Sequence, residues 1–549
     1  MALEKHVYKA FEEIVGEDNI ADDPAILDTY AFNWLAESHP LFAPGKYGFR
    51  PEAVLLPGSA REVQDIVRLC NRYRIRYKAH STGYGIHAFP GVEGVVVLDL
   101  RRMNRILEID ERNKFAVVEP YVTWAELCAE IIKVGLFTTP IQAGSQASVL
   151  ANVSALWGVN TFGNHGGHNG RNLLGAEWVL PSGEILKLGP EGGWFYADGP
   201  GPSLRGILRG HIGSCGGLGV VTKVAIKLHA WPGPRSLPTE AVPNHHMRYR
   251  LKERIARSKV YVVCFPDWGT LIDFLYKVGD AEIAYTLWRV GGVEHSVCIL
   301  PDSLLIKQLY DAGLVQAAAA VFTYPVVATI LAHTEREFAY KTEVMERIIQ
   351  DVGGEIPAVM TDPFYSEQLP APLEDMLFHA LVANDTHFIS HNGGFVINAA
   401  YTGSCEAVIR HQGPGGERLK KKYIARGVIM DDGTDSMYHN SFENNAYVYA
   451  EVEYHYDPAY EESVRGAIDL ITEEDREAMA AKDPLASCNA MLVLGSGPSH
   501  SERLETVGAQ CKNFHLWQKR IKDVLDPHYL SDPSAYVVYK DKLIHTPFG

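Results

Sequence analysis

The residues that could do chemistry fall into two kinds of segment: glycine-rich loops, and strands on which histidine, tyrosine and glutamate alternate. The first loop is His80-Ser-Thr-Gly-Tyr-Gly-Ile-His87. Glycines let the chain turn tightly, so several backbone N–H groups can converge on one bound anion. Its spacing is not Gly-x-Gly-x-x-Gly, and a strand follows where a dinucleotide fingerprint needs a helix, which disfavours a nicotinamide site. Taken alone, the loop is also explained as an ordinary β-turn. Three further stretches accompany it: Gly144-Ser-Gln-Ala-Ser-Val-Leu-Ala-Asn152, Trp157-Gly-Val-Asn-Thr-Phe-Gly-Asn-His-Gly-Gly-His168 and Gly216-Gly-Leu-Gly-Val-Val-Thr-Lys223. Later, His387, His391, Tyr447, Tyr449, Glu451, Glu453 and His455 recur at the two-residue spacing that puts side chains on one face of a strand. Such a face could line a pocket with carboxylates and aromatics, or hold a metal if two or three ligands converged. A solvated or core face is the simpler account of the same alternation. The basic run Arg418-Leu-Lys-Lys-Lys-Tyr423 reads as a solvated helix face, with an anion or partner patch as the alternative.

The elements that would position these residues alternate between strand and helix. Phe11, Ile14 and Val15 give an opening helix one apolar side, with irregular chain after it. Ala53-Val-Leu-Leu-Pro is a strand, and Ser59 with Glu62 makes a capping box for a helix that buries Val63, Ile66, Val67 and Cys70. Strands follow at Tyr77 to His80, Val95 to Leu100 and Phe115 to Pro120; Thr123 then caps a helix carrying Leu127, Ile131 and Ile132. In the second half, Ala328 to Ala332 is a strand, Glu335 to Val352 a helix ended by Gly353-Gly354, and Phe395 to Ala400 a strand. Tyr447 to Tyr456 reads as a half-exposed strand, and Phe514 to Leu525 as a helix closed by Asp526-Pro527.

Composition narrows the function. The chain has 549 residues, 46% hydrophobic and 21% charged, so it is globular, and at about 100–200 residues per domain it holds two or three. Its net charge of -16 repels phosphate backbones, which argues against nucleic acid as a partner. Eight cysteines without a Cys-x-x-Cys pair argue against a zinc ribbon, an iron–sulfur cluster or a disulfide framework, and no metal is expected. The first residues lack the apolar run of a signal peptide, and Pro325 splits the uncharged stretch Gly313 to Ala332 into a helical and a β-branched half. A soluble, cytoplasmic protein with no membrane span is the expectation.

Pro51-Glu-Ala-Val-Leu-Leu-Pro-Gly-Ser59, the Ser-Thr-Gly loop, and Val97-Leu-Asp-Leu-Arg-Arg-Met-Asn-Arg-Ile-Leu-Glu-Ile-Asp110 occur in an order that carries a family likeness. So do Ala116-Val-Val-Glu-Pro-Tyr-Val-Thr-Trp124, Leu174-Gly-Ala-Glu-Trp-Val-Leu-Pro-Ser-Gly-Glu184, Gly219-Val-Val-Thr222 and Leu525-Asp-Pro527. In these motifs the sequence resembles the FAD-binding flavoprotein superfamily of vanillyl-alcohol oxidase and p-cresol methylhydroxylase, including its glycolate-oxidase D-subunit branch. The likeness is dense over about residues 50–230, thin over 235–500 and returns at 515–535. It implies an α+β fold: a two-subdomain FAD-binding domain over 1–230 with a C-terminal return at 505–549, and an α+β cap over 231–504 carrying the substrate pocket.

By the same resemblance Ser81, Thr82, Gly83, Tyr84, Gly85, Ile86 and His87 hold the FAD pyrophosphate through backbone amides, and Ser148 and Asn152 lie along the ribityl chain or ring. Val220 and Val221 meet the cofactor through their backbone. His87 is a candidate for covalent flavin attachment, although Gly85-Ile-His87 is offset from the usual Gly-Gly-His; a hydrogen-bonding or bystander role is the alternative. Asn164 stands where phenol-oxidising members carry an aspartate, and it can neither accept a proton nor carry charge. His165 and His168 thereby become the acid–base candidates, since an imidazole with an ordinary pKa of ~6.5 can take an alcohol proton. A loop that packs against the cofactor is the other reading of both. The implied activity is FAD-dependent oxidation of an alcohol carbon, in a 2-hydroxy acid or an arylalkyl alcohol, with oxygen, a quinone or a protein as electron acceptor. A 4-alkylphenol oxidase, a non-redox enzyme of the alkyl-dihydroxyacetonephosphate synthase type and a flavin subunit of an electron-transfer complex stay open beside it. Homo-oligomerisation is expected by resemblance.

Overall fold

The computed structural model describes residues 3–31, 49–83, 88–140, 144–155, 158–160, 162–188, 203–209, 217–241, 249–289, 311–313, 316–317, 320–362, 396–433, 435, 437–457, 459–480 and 514–532. Three sheets organise them. The first has the order β1-β2-β4-β3, with β1 at Ile20–Ala21, β2 at Ala53–Leu55, β3 at Arg76–His80 and β4 at Val95–Asp99. β2 and β3 run parallel to β4, and β1 antiparallel to β2. Parallel neighbours need crossovers; one is the Ala60–Tyr73 helix, which buries Val63, Ile66, Val67 and Cys70 against the sheet. Ser59 accepts from the Glu62 N–H at 3.2 Å, but Glu62 returns to the Gly58 N–H at 2.9 Å, so the reciprocal bond of the expected capping box is shifted by one residue. The chain before β2 is more regular than expected, adding β1 and the Pro24–Ala31 helix to the opening Lys5–Val15 helix.

The second sheet is antiparallel, β5-β6-β10-β8-β9, with β5 at Ile106–Asp110, β6 at Phe115–Val118, β8 at Leu173–Val179, β9 at Ile185–Leu188 and β10 at Val220–Lys227. Helix Trp124–Ile131 packs on it with Trp124, Leu127, Cys128 and Ile131 buried; Ile132 falls outside the helix. Thr123 and Glu126 complete the capping box there. Two short ribbons flank these sheets: β7 (Leu136–Phe137) pairs with β11 (His229–Ala230), and β12 (Thr239–Ala241) with β13 (Tyr249–Leu251). Val179 and Val220 enter the core of the first sheet although both belong to the second, so the two cores are joined through β8 and β10.

The C-terminal return closes this joint. Helix Phe514–Leu525 leads into 526–532, where the Tyr77 N–H donates to Leu530 O at 2.9 Å and the Asp532 N–H to Tyr77 O at 2.8 Å. Lys78 and Asp532 form a buried ion pair; Lys522 pairs with Asp526 at 2.7 Å, both buried. The Gly219 N–H donates to Ser531 Oγ at 2.7 Å, which ties the tail to the start of β10.

The third sheet is a six-stranded antiparallel one, β14-β16-β15-β18-β19-β17: β14 at Ser258–Val263, β15 at Thr286–Arg289, β16 at Val326–Leu331, β17 at Val396–Gly403, β18 at Met437–Phe442 and β19 at Tyr447–His455. The helices Trp268–Ala281, Glu335–Val352, Cys405–Ala425 and Glu461–Ala480 supply its core with residues such as Leu271, Met345, Val408 and Leu470, met by Val448, Ala450, Val452 and Tyr454 of β19. β19 is therefore not half-exposed. It lies inside the sheet, its even residues face the helices, and Tyr449, Glu453 and His455 on its other face are buried as well. The basic run also divides: Arg418, Lys421 and Lys422 are exposed and paired with Glu477, Glu417 and Glu473, whereas Lys420 is 2% exposed and turned inward. Among the described residues no helix is long and apolar enough to cross a membrane.

Candidate functional site

The loop after β3 is anchored from two sides. Thr82 Oγ1 accepts the Ser148 N–H at 3.1 Å, and Ser148 caps the Val149–Ser154 helix by accepting the Ala151 N–H at 3.1 Å. Its hydroxyl proton goes to Pro120 O at 2.6 Å, so Ser148 is fully engaged in positioning. Gly83 has φ +74, a conformation that favours glycine, and a Cβ there would stand 3.2 Å from the His80 ring. His80 lies edge-on to Tyr30 with ring centres 5.1 Å apart. Burial lowers its pKa against the opposing pull of Asp99, so the ring is neutral at neutral pH. Tyr84, Gly85, Ile86 and His87 lie outside the described residues. Val220 is buried in the core of the first sheet, and Val221, half-buried, packs against the core of the second.

Residues 158–160 and 162–172 are shaped by a network of buried amides. Asn169 donates to Asn152 and accepts from the Thr139 hydroxyl; Asn160 Nδ2 donates to Gly167 O at 3.0 Å, and Asn172 Nδ2 to Gly166 O at 3.1 Å. All five side chains are buried. The signal in the sequence is the recurrence of Asn, which offers donor and acceptor at once, inside a glycine-rich stretch.

Within that stretch the three candidate site residues, Asn164 and the acid–base candidates His165 and His168, separate. Asn164 is 1% exposed; its Nδ2 donates to Ala284 O at 2.8 Å and its backbone carbonyl accepts the Asn444 N–H at 2.8 Å. With Gly163 O accepting from Glu443 N–H at 2.9 Å, these bonds clamp the short Gly163–Gly166 helix to the third sheet. His168 is buried, and its Nδ1 accepts the Gly170 N–H at 3.1 Å, which puts the proton of the neutral ring on Nε2. Gly158 packs directly on that ring, where a Cβ would collide. His165 is exposed and stacks on Tyr285 at 4.6 Å, with His229 edge-on at 5.5 Å. Partial desolvation and the charges of Lys341 and Lys227 lower its pKa, so it is neutral at neutral pH. Burial, reinforced by Lys227, drives His229 down to about 3. The structure thus brings all three to the junction with the third sheet: Asn164 and His168 are buried there, and His165 is exposed against Tyr285.

The sheet face at this junction is distinctive. Phe442 packs on Gly163, where there is no room for a Cβ, and the Arg171 guanidinium lies 5.2 Å from the centre of the Tyr447 ring. Beyond this first row the registers pair Trp288 with Asn440, Asn440 with Tyr449, and Tyr438 with Glu451; Glu453 and His455 follow along β19. Tyr449 donates to Glu451, and Asn440 to the Tyr438 hydroxyl. At the end of β19 His455 Nδ1 lies 2.8 Å from Asp432, whose other oxygen binds Lys420 at 2.6 Å, all three being buried. Burial alone would raise the Asp432 carboxyl, but the Lys420 charge and the His455 bond outweigh it and hold it well below the usual carboxylate range. No set of three His, Cys, Asp or Glu among the described residues is placed to hold a metal ion; His387 and His391 lie outside those residues.

Residues 51–189 match the family described as FAD binding domain. The whole chain superposes on substrate-bound p-cresol methylhydroxylase with a TM-score of 0.70 at 18% identity, covering 98% of this chain and 97% of that one. Residues 51–189 are an FAD-binding domain, and the chain has the p-cresol methylhydroxylase fold. In sequence it is 32% identical over 223 residues to an FAD-linked oxidoreductase of Mycobacterium tuberculosis and 28% identical over 234 residues to the GlcD subunit of glycolate oxidase from Bacillus subtilis. Those alignments cover 40% and 41% of this chain and 45% of each relative, so the chain matches less than half the length of either. The FAD-binding domain also has a left-handed glycine in the loop pinned to Ser148, and the buried oxygens of its Asn160 and Asn164, like those of Thr286, Thr329 and Asn440 on the third sheet, have no partner among the described residues. Buried polar atoms of that kind fit a polar ring system laid among them.

Proposed function

We propose that this protein is an FAD-dependent oxidoreductase that removes a hydride from an alcohol carbon, with residues 1–230 and 505–549 holding the cofactor and 231–504 forming the cap. The observation that carries the reading is the junction itself: the FAD-binding domain presses Gly163, Asn164 and His168 against one end of a sheet face that continues with Trp288, Tyr438, Asn440, Tyr449 and Glu453, all buried. When bound, FAD supplies the two-electron acceptor for the alcohol carbon. The loop 81–87 would hold its pyrophosphate through amides, with Ser148 and Asn152 fixing the neighbouring backbone and amide network. The cap face would exclude water and orient the alcohol.

Within this proposal Asn164 is a positioning residue that keeps the Gly163–Gly166 turn seated, and His168 is the histidine of the pair set toward the substrate. Its Nδ1 can take a proton only by giving up the Gly170 N–H, so His168→Gln, which keeps an acceptor for that N–H, separates proton transfer from loop positioning. The test is anaerobic mixing of the purified yellow protein with alcohols: loss of the oxidised-flavin absorbance supports the reading, and a spectrum unchanged by every alcohol that binds overturns it in favour of non-redox flavin chemistry. Acid precipitation of the same sample reads covalent attachment, since colour in the pellet assigns it to His87 or another side chain and colour in the supernatant excludes it.

A further inference from the structure

We infer that the turn Glu443-Asn444-Asn445 is a strained latch between the FAD-binding domain and the third sheet, and that its opening sets access to the flavin. The inference rests on the flavin seat proposed at the junction and is independent of which bond is oxidised there. The three residues join β18 to β19 with φ of +50, +54 and +63. Among the described residues no other non-glycine residues stand consecutively in the left-handed region. Asparagine tolerates that region and glutamate seldom enters it; L-residues visit it singly, because Cβ crowds the following carbonyl. A four-residue loop, as between Phe442 and Tyr447, is ordinarily built on a right-handed turn, so closing the hairpin does not demand this form. Backbone held in sparsely populated states persists where its surroundings over-determine it, and such residues gather at clamps and switches.

The supports come from both sides of the junction. On the sheet side, Asn445 is buried and its Oδ1 accepts the Ser441 hydroxyl at 3.0 Å, while Gly279 packs against Asn444 O and Asn445 with no room for a Cβ. On the other side, the Glu443 N–H donates to Gly163 O at 2.9 Å and the Asn444 N–H to Asn164 O at 2.8 Å. The Glu443 carboxylate pairs with Arg171, both partly exposed. Carbonyls of the FAD-binding domain therefore hold the first two left-handed residues in place. When the junction parts, those N–H groups and the Glu443 charge pass to water, and the turn is free to relax. Strain favours parting and the cross-junction bonds oppose it. The net worth of one N–H···O bond is of the same order as the cost of one left-handed residue, so the two states lie close in free energy.

The test compares alanine with glycine at one position, since neither carries a side chain beyond Cβ and only glycine enters the left-handed region without cost. Asn444→Ala and Asn444→Gly are made in the holoprotein, with Glu443→Ala and Glu443→Gly as a second pair if the first alanine variant does not fold. Amide hydrogen exchange is read by mass spectrometry on peptides covering 162–172 and 443–447. Stopped-flow reduction of the flavin by dithionite, which needs no substrate, reads access. The alanine variant should exchange at least ~5-fold faster than its glycine counterpart in both segments, and its flavin should be reduced faster by a similar factor. Equal exchange in the two variants, or a difference confined to 443–447, overturns the latch. Exchange that separates in both segments with equal reduction rates overturns its control of the flavin and the flavin seat at the junction. Alcohol-dependent bleaching, measured separately, decides the oxidation in every case.

Discussion

Asn164→Asp would restore the aspartate expected of phenol-oxidising relatives, and the structure predicts that it damages the fold instead. Asn164 Nδ2 donates to Ala284 O at 2.8 Å from a side chain that is 1% exposed. A carboxylate there would set an anionic oxygen against a carbonyl oxygen in a buried site, so the acid must stay protonated to donate in place of the amide. Starting from an ordinary aspartate pKa of about 3.9, holding that proton costs about 4 kcal/mol at pH 7 and about 1.5 kcal/mol at pH 5. The folded-state pKa is raised above the unfolded one, so the variant's stability is complete below about pH 3.9 and falls by about 1.4 kcal/mol per unit as pH rises toward the folded value. Asn164→Ala, which only strands the Ala284 carbonyl, should lose about 1–3 kcal/mol at every pH. Urea unfolding of the holoproteins between about pH 5 and pH 8, followed by tryptophan fluorescence, measures both. A variant within about 1 kcal/mol of wild type at pH 7, or one whose loss does not shrink at pH 5, would refute the clamp, since the slope of about 1.4 kcal/mol per unit follows from one held proton.

Three further outcomes follow from particular contacts. Lys420→Met should cost about 3–5 kcal/mol by removing the buried cation that faces Asp432, and adding Asp432→Leu should recover most of it; equal melting of the single and double variants would show that the cost does not come from the Asp432 charge. Gly219→Ala should destabilise by about 2–4 kcal/mol, because Gly219 has φ +91 and its Cβ would run into the Val179 carbonyl at the joint between the two cores; a wild-type melting temperature would contradict this. His229, held down to about 3, contributes stability that is present above its ordinary pKa and lost as pH falls from there toward 3. With an ordinary value of ~6.5 the loss reaches about 2 kcal/mol at pH 5, so His229→Gln should flatten the acid limb of the stability profile.

Local chemistry was legible along the chain. Ser59 and Thr123 cap helices where hydroxyls precede apolar periodicity, and Glu335–Val352 and Phe514–Leu525 begin and end at the predicted residues, because caps and the 3.6-residue repeat act over a few positions. The ordered glycine motifs from Pro51 to Thr222 sufficed for the FAD-binding domain and its fold, since a backbone-held cofactor leaves its mark in loop spacing. Strand alternation also put Tyr447, Tyr449, Glu451, Glu453 and His455 on one face.

What that face meets was decided in three dimensions. The same two-residue period describes a solvated strand and one buried on both sides; only the neighbours β17 and β18, the helices behind and residues 163–171 in front make β19 the second kind. Lys420 sits in a basic run like its neighbours, and a loop twelve residues on supplies Asp432 to turn it inward. The histidines His165 and His168 are three apart in sequence, yet one is exposed against Tyr285 and the other is buried under Gly158, because the one-turn helix ends at Gly166 and Gly167, at φ +75, redirects the chain before His168. Sequence determines which groups are available and how they repeat. Burial and partner, which set a carboxylate's charge and a histidine's proton, depend on chain segments hundreds of residues apart, and these only the tertiary structure brings together.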